Sequence, residues 1–282
     1  MHGRSWSDVR WERGMTQKTA IITGGAGASA GGSGAYIAHK LASQGYYVVI
    51  WDINDELAID TLNTLQMKHK DAAFYHCDVT REDHVREAVA RTVESTGRID
   101  VLVNNAFWHA DKQPPLHEVA LEDWDKHIDI NLKSVFLSSK HVIPHLLEQE
   151  KSVIVNISTT ATRRGEFGYA AYAAAKAGVE SLTRSIAAQY GRQGLRCNCV
   201  VPGLVLNVQL QKMTEKFPQA AEQFALIDKQ ALLEPGHGLG LDVAEAVSFL
   251  VSDASRWMTG ESLVIDGGTI SHNPTWADML EA

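Results

Sequence analysis

The sequence predicts an α/β fold, a single domain on a doubly wound parallel seven-stranded sheet. Three observations carry that expectation. Short β-branched apolar runs alternate with amphipathic stretches along nearly the whole chain. Those runs are almost continuously apolar, as strands covered on both faces must be. No Pro/Ser linker or low-complexity tract divides the 282 residues, a length that suits one large α/β domain.

The elements follow in order. "TAIITG" at 19–24 is a β-branched run ending in glycine, a buried strand. "AYIAHKLASQG" sets Ile37, Ala38 and Leu41 at helical spacing and stops at Gly45. "YYVVIWD" at 46–52 is the second strand, then come a helix from about 56 to 69, the strand "AAFYHCD" and a helix from about 82 to 96. "IDVLVNNA" is a strand, and one long helix is expected over roughly 121–141. "SVIVNIS", the helix "YAAYAAAKAGVESLTRSIAAQY", the strand "LRCNCVVPG", the helix "LDVAEAVSFLVS" and the strand "GESLVIDGG" complete the alternation. Residues 206–240 break it, and read as an irregular, mobile lid over a site. Residues 1–14 are set apart as an extension, 15–282 as the domain and 269–282 as its tail.

Composition excludes several function classes. The net charge is −8, and no basic patch with interleaved aromatics points to nucleic acid. No apolar stretch approaches the ~20 residues that span a bilayer, and the start lacks the apolar core of a secretory signal. The three cysteines, Cys77, Cys197 and Cys199, form no disulfide framework, so reduced thiols and a cytoplasmic location are expected. "HVIPH" has i,i+4 histidines, but Pro144 interrupts it and no third ligand is evident, so no metal is expected.

Two stretches carry chemistry. "TGGAGASAGGSG" at 23–34 joins the first strand to the first helix. A glycine-rich turn there lets the backbone approach a pyrophosphate, which the unpaired N–H groups of the helix N-terminus receive. Asp52 stands at the tip of the second strand, 18 residues beyond Gly34, where a carboxylate accepts hydrogen bonds from ribose hydroxyls. It would repel a 2′-phosphate and no arginine follows it, so NAD is favoured over NADP. The second stretch is "YAAYAAAK", in which Tyr172 and Lys176 share a helix face. A phenol is a poor base at neutral pH, and a neighbouring ammonium lowers its pKa toward usefulness. A hydroxyl from "NISTT", Thr159 or Ser158, would hold the substrate oxygen.

With these motifs in sequence, the chain resembles the classical short-chain dehydrogenase/reductase family over about 19–268. The motifs stand in the family's order: Thr23 and Gly24 with Gly32 and Gly34, Asp52, "CDVT", "NNA", "NLKSVF", "NIST", Tyr172/Lys176, "PG" and "IDGG". The resemblance implies a Rossmann-like fold and NAD as cofactor. It makes Tyr172 the general acid/base and gives Lys176 the tasks of lowering its pKa and holding the nicotinamide ribose. Asn131 would anchor a water of the proton relay. Asp78 would bind the adenine amino group beside Val79, and Asn104 and Ala106 would line the cofactor, as would Pro202. Val205 would lie by the carboxamide. The family's serine position, thirteen before the tyrosine, falls on Thr159.

The departures matter as much. Phe107 replaces a glycine of "NNAG" and, with Trp108, is expected to add an aromatic wall to the substrate side. Asn207 stands for a threonine that bonds the carboxamide, a bond an amide can also make. Trp108, His109, Met213, Phe217 and Phe224 are candidates for an apolar pocket. The family spacing after Gly24 puts glycines where Ala28 and Ala30 stand, so four residues are inserted before Gly32. Gly32 and Gly34 still open the helix, with Ser33 against the cofactor. The expected activity is interconversion of a secondary alcohol and a ketone, a small-molecule reaction in a homotetramer or homodimer. The competing readings are an epimerase or dehydratase using NAD transiently, and a non-catalytic NAD-binding regulator.

Overall fold

A computed structural model describes residues 17–27, 31–69, 71–110, 114–166, 168–216 and 218–273. The strands are β1 (Thr19–Thr23), β2 (Tyr47–Asp52), β3 (Ala72–His76), β4 (Val101–Asn104), β5 (Ser152–Ile157), β6 (Leu195–Pro202), β7 (Val205–Leu206), β8 (Gly238–Leu239) and β9 (Ser262–Ile265). Seven of them pair in parallel in the order β3-β2-β1-β4-β5-β6-β9, and β7 and β8 form a separate pair. The helices are α1 (Ser33–Ser43), α2 (Asp55–His69), α3 (Glu82–Thr96), α4 (Leu121–Ile128), α5 (Ser134–Leu146), α6 (Ala170–Tyr190), α7 (Val208–Lys216), α8 (Pro218–Asp228) and α9 (Gly240–Val251).

Successive side chains of a strand face opposite ways, so an unbroken apolar run feeds two cores at once. Ile22, Val48 and Ile50 join Ile37 and Leu41 of α1 and Val247 and Leu250 of α9. Their neighbours Ile21, Val49 and Trp51 join Val89 of α3, Leu146 of α5 and Ile186 of α6 on the other face. The chain leaves the middle of the sheet in one direction through β2 and β3, then returns to β4. The crevice at the carboxyl ends of β1 and β4, where that order reverses, is where such folds bind ligands.

Two expected elements take a different form. The helix expected over 121–141 is α4, a π-helical turn at Asp129–Lys133 and then α5, which runs on to Leu146 with Pro144 inside it. A proline near a helix end forfeits one backbone bond, which the packed Val142, Ile143 and Leu146 offset. The segment 206–240 contains two regular helices. α8 begins at Pro218, where a missing N–H costs nothing because the first turn has no acceptor for it. Residues 1–14 and 274–282 of the tail lie outside the described residues.

Candidate active site

The turn after β1 owes its shape to absent side chains. Gly24 has φ +61°, and a Cβ there would meet the Ala106 backbone at 2.7 Å. A Cβ on Gly34 would lie 2.0 Å from the Gly24 carbonyl oxygen, an impossible contact. Gly32 precedes α1 and has no side chain with which to cap it, so the first-turn amides of Ser33 and Gly34 face the turn with no capping group. Ala28 and Ala30 lie outside the described residues, but the inserted loop's neck is described. The Gly32 N–H donates to the Gly27 carbonyl at 3.1 Å, drawing the loop's ends together.

The acidic residues are partly engaged. Asp52 accepts the Ala26 N–H at 3.0 Å on one oxygen and the Asn54 N–H at 2.9 Å on the other, each oxygen keeping a second lone pair. Asp78 Oδ1 accepts both the N–H and the hydroxyl of Thr80 in a turn beside the buried Val79. Asn104 departs from expectation. It is a core residue whose Nδ2 donates to Asn156 Oδ1 at 2.8 Å and to Ser139 Oγ at 3.3 Å, so its side chain does not line the crevice. The physical reason is strand alternation, which turns Asn104 inward and leaves the edge of the crevice to its neighbours. Asn105, which sequence reasoning passed over, stitches the turn instead, donating through Nδ2 to the Thr23 and Gly24 carbonyls. Asn207 also differs in part. Its Oδ1 caps α7 by accepting the Leu210 N–H at 2.8 Å, leaving the amide nitrogen toward other partners.

The candidate catalytic corner is built by β5 and α6. Thr159 opens a short 3-10 turn at Thr160–Thr162, its hydroxyl accepting the Ala161 N–H, and it lies near enough to the Tyr172 phenol to favour its ionised form. Ser158, one residue earlier, points the other way. It is buried and donates to the Lys176 carbonyl and to Glu180 Oε1 at 3.0 Å. Glu180 gathers Ser158, Thr162, Arg163 and Ser262, clamping this turn to α6 and β9. Lys176 is only 2% exposed, and its Nζ donates to the Ile157 carbonyl at 2.9 Å.

Electrostatics here run against a simple expectation. In the protein alone the ammonium does not lower the tyrosine's pKa. Burial, then Tyr169 and Glu166, raises the Tyr172 phenol above its ordinary value, with Thr159 opposing. Lys176 Nζ lies 5.9 Å from the Tyr172 ring centroid, and burial lowers its own pKa to about 8. Removing charge from water costs more than these separations return.

Asn131 sits in the π turn, fully buried, with its Oδ1 accepting the Trp108 N–H at 3.1 Å and its Nδ2 donating to the Trp108 carbonyl at 3.0 Å. Extra-residue helical turns of this kind recur at functional sites. The pinned loop carries Trp108 and His109 toward Tyr172, whereas Phe107 is 57% exposed and stands away. The aromatic wall therefore comes from the next two residues.

A family model described as enoyl-(acyl carrier protein) reductase matches residues 27–270. Zerumbone synthase of Zingiber zerumbet is 36% identical over 262 residues, 92% of this chain and 96% of that protein. The chain belongs to the classical short-chain dehydrogenase/reductase family. (+)-Borneol dehydrogenase 2 of Salvia officinalis is 34% identical, covering 91% of this chain and 90% of its own length. cis-4-Hydroxycyclohexanecarboxylate dehydrogenase of Sinomonas cyclohexanicum is 35% identical, covering 90% and 97%. A crystal structure of a short-chain dehydrogenase/reductase from Burkholderia xenovorans superposes with a TM-score of 0.84 at 31% identity, over 91% of this chain and 97% of that one. The family consists of oxidoreductases that use nicotinamide cofactors, and the turn whose glycines leave room for a pyrophosphate fits that group.

In this dehydrogenase two expected pocket residues, Trp108 and His109, join His127 and Tyr169, which sequence reasoning missed, in a collar around the tyrosine. His109 lies 5.1 Å from Tyr169 and 5.5 Å from Tyr172, His127 lies 5.9 Å from Tyr172, and Trp108 packs, tilted, 4.7 Å from His127 (ring centroids). Lys126 Nζ covers the Trp108 face at 3.9 Å. Helical spacing held the signal, because Tyr169 precedes Tyr172 by three and His127 precedes Asn131 by four. Of the other pocket candidates, Phe224 lies 5.6 Å from His237, while the side chains of Met213 and Phe217 fall outside the described residues. Cys77, Cys197 and Cys199 are buried free thiols whose pKa values burial raises. Among the described residues no cluster of His, Cys, Asp or Glu could hold a metal, and no helix is long and apolar enough to cross a membrane.

Proposed function

We propose that this short-chain dehydrogenase oxidises a cyclic secondary alcohol to a ketone with NAD, or reverses that reaction, using Tyr172 as general acid/base. The observation that carries the reading is the catalytic corner. Thr159 at the end of β5 lies beside the Tyr172 phenol, and Lys176 lies one turn further along the same face of α6. When bound, the oxidised nicotinamide accepts a hydride from the carbinol carbon and brings a positive charge. Thr159 would hold the substrate oxygen, and Tyr172 would take its proton as the C–O bond becomes a carbonyl. Lys176, anchored on the Ile157 carbonyl, would hold the nicotinamide ribose and support the phenolate. Asn131 would anchor a relay water beside the Trp108 loop.

The residues proposed to hold the dinucleotide are Gly24, Gly32, Ser33 and Gly34 at the pyrophosphate, Asp52 at the adenosine ribose, and Asp78 with Val79 at the adenine. Ala106 and the backbone at Asn104 follow, then Pro202, Val205 and the Nδ2 of Asn207 toward the nicotinamide. NAD is preferred because the Asp52 carboxylate meets a 2′-phosphate with like charge. The cyclic substrate is supported by the collar of Trp108, His109 and Tyr169, and by relatives named for borneol and a hydroxycyclohexane acid. We further propose a homodimer or homotetramer at work in the cytoplasm.

Absorbance at 340 nm with cyclohexanol, borneol and cis-4-hydroxycyclohexanecarboxylate, each with NAD and NADP, is the direct test. Tyr172→Phe should lower kcat by about 10²–10⁴-fold while NAD still binds. Activity within about tenfold of wild type would remove Tyr172 from the role. Asp52→Ala should narrow the NAD-over-NADP ratio of kcat/KM, and an unchanged ratio would place the discrimination elsewhere.

A further inference from the structure

The Asn131 carboxamide is oriented without ambiguity, because the Trp108 N–H can only donate and so marks the amide oxygen. The amide nitrogen then has two hydrogens. One goes to the Trp108 carbonyl, and the other points at His127 Nδ1, 3.2 Å away. A donor faces that ring nitrogen, so Nδ1 is a lone pair and the imidazole proton is on Nε2. His127 is 4% exposed, and burial, then His109, lowers its pKa against the opposing Asp123. The ring is also placed mechanically, packed on Trp108 at a 47° tilt on one side and meeting Tyr172 edge-on at 62°.

We propose that His127 is a positioning residue for the reaction: its Nδ1 lone pair orients the Asn131 amide, which pins the Trp108–His109 segment against the Tyr172 ring. The inference rests on the reading of Tyr172 as the acid/base, and it adds a group that touches neither cofactor nor substrate. Three elements converge through one imidazole: the loop after β4, the α4–α5 bend and α6. Without the acceptor, a buried amide hydrogen loses its partner, and the Trp108 backbone loses the orientation of the group that holds it. The tyrosine's hydroxyl would remain, but the wall that aims a substrate at it would shift.

Two substitutions separate the lone pair from the ring. His127→Asn places Oδ1 close to the position of Nδ1 and keeps an acceptor, whereas His127→Phe keeps a ring and removes it. With cyclohexanol or borneol, whichever turns over faster, His127→Phe should lose about tenfold or more in kcat with the KM for NAD unchanged. His127→Asn should recover to within about threefold of wild type. Equal losses in both variants, or a rise in the KM for NAD, would overturn the proposal. A second readout needs no turnover. In the full chain labelled with 15N-histidine at pH 7.5, the His127 signals, identified by their loss in His127→Asn, should show a pyridine-type Nδ1 and a protonated Nε2. A protonated Nδ1 would refute the proposal even if Tyr172 is the base. A correct tautomer with an unaffected Tyr172→Phe variant would instead sink the functional reading.

Discussion

The β1–α1 turn and the corner where β5 meets α6 are the two halves of the candidate site, yet they are held in opposite ways. At the turn, geometry comes from what is missing, since Gly24 and Gly34 let two backbone segments meet where any Cβ would collide. At the corner, geometry comes from side chains. Glu180 gathers three hydroxyls and a guanidinium, Lys176 is tied to Ile157, and Asn131 is tied to Trp108. A site made of backbone tolerates no added atom. A site made of side chains tolerates chemically equivalent replacements, as the threonine at 159 in a serine's place illustrates.

Substitution at Gly34 should break the first half of that contrast most severely. Gly34→Ala forces Cβ onto the Gly24 carbonyl and the Asn105 amide, and backbone has little room to yield. The expected cost is at least about 3 kcal/mol, visible as a large fall in Tm and loss of NAD binding by calorimetry. Near-wild-type behaviour would mean that the turn adapts, and the distinction drawn here would fail. Thr159 probes the second half. Thr159→Val keeps the shape and removes the hydroxyl, and should cost about a hundredfold in kcat. Thr159→Ser restores the hydroxyl and should return most of it, while a Thr159→Ser enzyme as slow as Thr159→Val would show that the methyl is needed for packing.

The same contrast explains what could be read from the chain. Nearly continuous apolar runs such as "TAIIT" and "YVVIWD" declared a buried parallel sheet, because burial on both faces leaves little alternation to misread. Spacing brought out Gly34, Asp52, Tyr172 and Lys176 as candidates. Depth and direction were less legible. Asn104 sits in "NNA" beside positions expected to line the cofactor, but only the pleat decides that it faces the core and Asn105 faces the turn. The His127–Trp108 pair joins residues from separate elements, and no local pattern announces such a contact. The π turn at Asp129–Lys133 was hidden for the same reason, since a helical hydrophobic period continues through it. Residues 206–240 lacked a strong periodic stripe, so their two helices, which pack on each other, were not legible in the sequence.

The smallest expected effect concerns the price of burying a cation in the side-chain-built corner. Burial lowers the Lys176 pKa from 10.5 to about 8, so its folded value lies below its unfolded one. Below pH 8 both states carry the proton, and the desolvation penalty weighs in full on the folded protein. Between pH 8 and 10.5 the unfolded chain binds more protons than the folded one, and stability therefore rises with pH through that window. Above it both forms are neutral and the penalty is gone. Lys176→Met removes this titration, so the Tm of wild type relative to Lys176→Met should move in favour of wild type from pH 7.5 to 10. A flat difference would mean that the ammonium is compensated where it stands. In that case the corner would resemble the turn after all, with its charge already balanced by fixed backbone dipoles such as the Ile157 carbonyl.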